Sequence, residues 1–169
     1  MAVVASAEAG LHAITKGATM VQLRAPHLTA RELEREANAL VPKASVPVVV
    51  SSRCDVALAA GAAGVHLPER DISVAEARTL MGQRLVGRSV HSTESAMVAE
   101  REGADYVIFG PVWPSPSHPE EKSQGIGALA EVARAVRVPV LAIGGVTFER
   151  AEECPRAGAA GYAAITLFR

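Results

Sequence analysis

The sharpest chemical signal in the chain is a pair of bare glycines, Gly144-Gly145, which ends the apolar run Val140–Ile143 and opens onto Val146-Thr147. Backbone amides without side chains approach an anion closely, and a helix start adds a favourable dipole, so this turn suits phosphate. Thr166, at the end of the next apolar run, Tyr162–Ile165, adds a hydroxyl to the same anion site. Five histidines offer proton transfer near neutral pH. His91 follows an apolar run and His118 lies in the loop Pro111–Gly127, and they are the candidates for general acid and base. His12 and His27 read as structural or exposed, and His66 as a strand residue pointing into the interior. Cys54 has no paired histidine and reads as a small buried hydrophobe. No group of metal-ligand type is visible, and Asp71 alone would at most share an ion with a phosphate-bearing ligand.

The elements that must carry these residues repeat along the chain. Gly17-Ala18, Gly61-Ala62, Gly103-Ala104 and Gly158-Ala159 each precede an apolar run, as expected where glycine ends a helix and a turn feeds a strand. Val46-Pro47 and Val138-Pro139 open two more runs, and proline is tolerated at a strand's first residue. Thr29 with Glu32 and Ser73 with Glu76 form capping boxes, Asp55 is a candidate helix cap, and Ala128–Val136 has helical spacing. Short continuous apolar strands alternating with helices indicate parallel βαβ units covered on both faces. Seven such strands predict an α/β fold of the TIM (β/α)8 type, as one domain over residues 1–169.

The count is one strand short. Met1–Lys16 reads as a helix, with Val4, Ala7, Leu11 and Ile14 at helical spacing, so no strand precedes it unless Met1–Val4 supplies a fragment, and no helix follows the last strand. The chain is therefore expected to lack the first strand and the last helix, leaving an open seam that a second copy would cover as a homo-oligomer. In this architecture the site lies at the carboxyl ends of the strands. That rule selects Arg24, Ser51-Ser52, His66, Glu69 to Asp71, Ser89, His91, the loop after Gly110, Gly144-Gly145 and Thr166.

Composition excludes several classes. Seventeen Lys and Arg against eighteen Asp and Glu leave a net charge of −1, which argues against a nucleic-acid partner. Charges break every long apolar stretch, so no membrane span is expected. No secretory leader is legible, and Cys54 and Cys154 read as reduced thiols of a cytoplasmic protein.

Six segments together resemble the thiamine phosphate synthase/TenI superfamily, over nearly the whole chain. They are Val21–Arg24, Arg53–Leu58, Gly64–Pro68, Gly87–Ser92, Ala104–Gly110 and Ala142–Gly145. The resemblance implies a phosphate-binding (β/α)8 barrel with one of two activities. Synthases join a pyrimidine pyrophosphate to a thiazole phosphate with Mg²⁺. TenI-like proteins aromatise a thiazole carboxylate phosphate by moving a proton, without metal. The synthase pattern is altered here: its Lys falls on Pro26, its Asn-Asp pair on Ser51-Ser52, and its Thr-x-Thr-Lys loop on Ser115–His118, leaving Asp71 as the remaining magnesium carboxylate. The runs Gly87–Ser92 and Ala104–Gly110 are more similar to the TenI branch, although that branch's catalytic His position is Pro111.

The expectation is accordingly a thiazole tautomerase needing no cofactor, with His118 or His91 as base. Gln22, Arg24, Ser89, Gly144, Gly145 and Thr166 would hold a phosphorylated thiazole. The alternatives are a thiamine phosphate synthase, using Mg²⁺ on Asp71, or a non-catalytic thiazole-phosphate-binding regulator.

Overall fold

The computed structural model describes residues 1–115 and 122–168. The elements run β1 (Ala2–Val4), α1 (Ala7–Thr15), β2 (Val21–Leu23), α2 (Ala30–Leu40), β3 (Val48–Ser51), α3 (Cys54–Ala59), β4 (Gly64–Leu67) and α4 (Val74–Met81). They continue with β5 (Leu85–Val90), α5 (Thr93–Arg101), β6 (Tyr106–Phe109), α6 (Gly125–Ala135), β7 (Val140–Ala142), α7 (Phe148–Ala151), α8 (Glu153–Arg156) and β8 (Gly161–Tyr162). All neighbouring strands pair in parallel, in sequence order from β1 to β8. A parallel bridge between Ala2 and Ala164 joins the two ends. There the Val3 amide donates to the Ala164 carbonyl at 2.9 Å, and the Ala164 amide donates to the Met1 carbonyl at 3.1 Å. The fold is the expected (β/α)8 type.

The expected gap at the first strand is corrected. Ala2–Val4 forms β1, in register with Val21, Gln22 and Leu23. The helix begins only after Ser6, whose hydroxyl accepts from the Ala9 amide, so Val4 belongs to the strand despite its helical spacing from Ala7 and Leu11. The seam that would have needed a second copy is closed within the chain. Among the described residues no helix follows β8, as expected.

Two apolar layers hold the barrel. The larger lies between helices and sheet, where Leu33, Ala37 and Leu40 of α2 and Leu129 and Val132 of α6 pack outside the strands. The smaller fills the interior with Val3, Val49, Tyr106, Ile108 and Ala163. Both expected capping boxes are present, each with a glutamate accepting from the cap residue's amide. Asp55 does not cap α3; that helix starts at Cys54, and the Asp55 carboxylate pairs with Arg53 instead. No described helix is long and apolar enough to cross a membrane.

Candidate active site

The interior apolar layer stops short of the carboxyl ends of the strands, where a cavity of about 310 Å³ opens. Among the described residues, Gln22 of β2 and His66 of β4 are polar side chains buried in the barrel, 3% and 2% exposed, and both line the cavity. Ser51 ends β3 and Ser89 lies on β5, so their hydroxyls stand along the wall. Arg24, Glu69, His91 and Ser115 come from the loops above. Gly144, Gly145, Val146 and Thr166 close the far side, after β7 and β8.

The expected binding residues Gln22, Arg24, Ser89, Gly144, Gly145 and Thr166 thus share one cavity, and His91 joins them. His118 lies outside the described residues. Asp71 does not border this cavity. It lines an adjoining cleft with Ser73, Glu94 and Glu102, and its Oδ1 accepts from the Ile72 amide at 2.8 Å. Arg88 anchors that loop by donating to the carbonyls of Glu69 and Ile72, at 2.6 Å each.

The glycine pair does more than bare its amides. Gly144 and Gly145 both have positive φ, +93° and +64°. A Cβ on Gly144 would sit 2.6 Å from Pro111 Cβ, and one on Gly145 would sit 2.4 Å from the Pro114 carbonyl oxygen. The loop after β6 therefore lies directly on this turn, sealed where the Val112 amide donates to the Ile143 carbonyl at 2.8 Å and the Trp113 amide to Gly144 at 3.1 Å. Arg150 donates to the Gly145 carbonyl at 2.7 Å and stacks over Trp113. The following helix α7 has only four residues, so the dipole expected there is small. Among the described residues the amides of Gly144, Gly145, Val146 and Thr166 have no protein acceptor, which leaves donors at this end of the cavity.

His91 sits between two partners. Its Nδ1 lies 2.5 Å from the Gly110 carbonyl, which can only accept, so that nitrogen carries a proton. Its Nε2 lies 3.8 Å from the Glu69 carboxylate. His66 is different, because burial, with the Arg88 and Arg24 guanidiniums nearby, pushes its imidazole down to about 3. It is neutral at physiological pH, with Nδ1 at 3.3 Å from Tyr106 Oη and Nε2 at 2.8 Å from Ser89 Oγ. Cys54 is buried, and desolvation with the Asp71 and Asp55 charges pushes its thiol up, the reverse of an activated nucleophile. Tyr106 was not among the sequence candidates; its position opposite Gly87 in the β5–β6 register is the signal that finds it.

A closed parallel (β/α)8 barrel with a polar pocket at its carboxyl mouth, roofed by the loops after β6 and β7, defines an enzyme-type barrel built to hold a small polar molecule. A family model described as thiamine monophosphate synthase matches residues 4–168, and the chain belongs to this family. It is similar to the thiamine-phosphate synthase of Chlorobium luteolum, 43% identical over 159 residues, spanning 91% of this chain and 75% of the relative. It is similar also to that of Chloroflexus aurantiacus, 40% identical over 158 residues, spanning 91% of this chain and 73% of the relative. Among solved structures it resembles a thiamine phosphate pyrophosphorylase from Pyrococcus furiosus, with a TM-score of 0.88 and 31% identity, covering 98% of this chain and 83% of that one.

These relatives correct the expected activity. They carry the name of the synthase, so the tautomerase expectation falls and the synthase alternative is the better supported. The tautomerase expectation had rested on the runs Gly87–Ser92 and Ala104–Gly110, which lie along the barrel's β5 and β6.

Proposed function

We propose that this chain joins a pyrimidine carried as its pyrophosphate to a thiazole phosphate, releasing pyrophosphate. The thiazole ring nitrogen forms a bond to the pyrimidine's methylene carbon as the carbon–oxygen bond to pyrophosphate breaks. The electron pair of that bond leaves with pyrophosphate, and the thiazole becomes a cation. No proton is transferred, so the reaction asks for no general base, and Pro111 at the TenI histidine position costs it nothing.

The observation that carries this reading is the division of the pocket into unlike ends, in a chain whose named relatives are synthases. Free amides at Gly144, Gly145 and Val146, with Thr166, suit the thiazole phosphate at one end. Arg24 at the rim suits the leaving pyrophosphate, as a planar charge that meets two phosphate oxygens at once. Neutral polar groups between them, Gln22, His66 and Ser89, suit an uncharged heterocycle. The protein's part is to hold both rings in line and keep water from the reacting carbon. Free thiols at Cys54 and Cys154 suit a cytoplasmic setting.

A magnesium ion is the expected companion of such a pyrophosphate. The described residues do not form a site for the free ion: no three His, Cys, Asp or Glu gather, and Asp71 has one oxygen committed to Ile72. No step is therefore assigned to metal. The test is pyrophosphate release with both substrates present and with each omitted. Release that requires both is the expected result. Binding of both without release would overturn the reading in favour of a phosphate-ligand regulator.

A further inference from the structure

We propose that Tyr106 and His66 are positioning residues that leave the Ser89 hydroxyl free to donate a hydrogen bond into the pocket, where an unprotonated ring nitrogen of a heterocycle accepts it. The proposal rests on the reading above only for the identity of that heterocycle.

The register sets the three groups in one line. His66 pairs with Gly87, and Gly87 pairs with Tyr106, so β4, β5 and β6 present these residues at the same level of the barrel. A side chain at Gly87 would meet Tyr106 Cζ at 2.1 Å, so the phenol occupies the space that this glycine leaves. The imidazole and phenol stack with centroids 5.6 Å apart, which holds Oη against Nδ1 and leaves Nε2 facing Ser89 two residues further along β5.

The direction of the hydrogen bonds follows from counting donors. A neutral imidazole has one N–H and one lone pair. If Nδ1 carried the proton, it would donate to Tyr106 Oη, and the buried phenolic proton would have no acceptor among the described residues. A buried donor left unmade costs roughly 1–3 kcal/mol. If the phenol donates to Nδ1, every proton finds a partner. Nε2–H then donates to Ser89 Oγ, and the serine proton is free to turn into the cavity. An unprotonated ring nitrogen at that place accepts this proton, which a hydroxyl spending its proton on His66 could not offer.

The experiment is nitrogen-15 NMR of the full chain, labelled at histidine, without ligand. His66 protonated at Nε2 alone is the expected result, and His66 protonated at Nδ1 overturns the proposal whether or not the protein turns substrate over. Kinetics with the pyrimidine pyrophosphate then separate positioning from mere support. Tyr106→Phe should lower kcat/KM roughly 2- to 10-fold, the worth of one hydrogen bond, with His66 losing its fixed tautomer. His66→Gln, whose side-chain amide can still donate, should retain more activity than His66→Leu. Equal losses in Gln and Leu variants would overturn the relay, and an absent joining reaction with Nε2 protonated would remove the substrate while the relay stands.

Discussion

The imidazole of His91 donates through Nδ1 to the carbonyl of Gly110, the residue that immediately precedes Pro111. This bond ties the end of β5 to the roof of the pocket and turns Nε2 toward Glu69. His91 is thereby held as a wall of the site. In a reaction that moves no proton, its basicity has no task.

His91→Ala is therefore expected to lower kcat/KM for pyrophosphate release by less than about 10-fold, where loss of a general base would remove about 10²- to 10⁴-fold. A larger fall, with a bell-shaped pH profile losing its acid limb, would show that His91 handles a proton.

Stability should respond to pH through His66. Its native value lies near 3 and its unfolded value at 6.5, because burial disfavours the charged ring. The unfolded chain thus binds the proton first, so this contribution is complete above pH 6.5 and is lost as pH falls toward 3. Between about pH 7.5 and about pH 4.5, wild type should lose roughly 3 kcal/mol more than His66→Gln in urea unfolding. Parallel pH profiles would contradict a neutral buried histidine.

Gly145→Ala tests the seat of the roof. The added methyl would meet the Pro114 carbonyl oxygen at 2.4 Å and Trp113 Cβ at 2.9 Å, at a φ of +64°. The expected cost is about 1–3 kcal/mol, read as a lower Tm, together with weaker binding of thiazole phosphate. An unchanged Tm and affinity would mean that the loop after β6 does not rest on this turn.

Magnesium should bind only with its phosphate-bearing partner. Titration of Mg²⁺ alone into the protein is expected to give no heat, since the described residues gather no set of three ligands. Heat in the presence of the pyrimidine pyrophosphate is the expected contrast. Tight binding of the free ion would contradict this expectation.

Much of the architecture was legible because glycine ends and proline starts punctuate the chain wherever a helix hands over to a strand. Strand β1 escaped because three residues are too short to show a period, and Val4 happens to stand at helical spacing from Ala7 and Leu11. The pocket's outer residues, Arg24, Ser89, Gly144 and Thr166, were legible from their place at strand ends. Tyr106 was not, since an aromatic residue in an apolar strand reads as core until the register sets it across Gly87 from His66. Activity was the least legible feature, because the loop positions that carry the synthase pattern are substituted at Pro26, Ser51-Ser52 and Ser115–His118.

The central claim is tested most directly by mass spectrometry of the reaction mixture after incubation with pyrimidine pyrophosphate and thiazole phosphate. The account predicts one joined pyrimidine–thiazolium phosphate for each pyrophosphate released. Pyrophosphate released without a joined product, or both substrates bound and recovered intact, would contradict it.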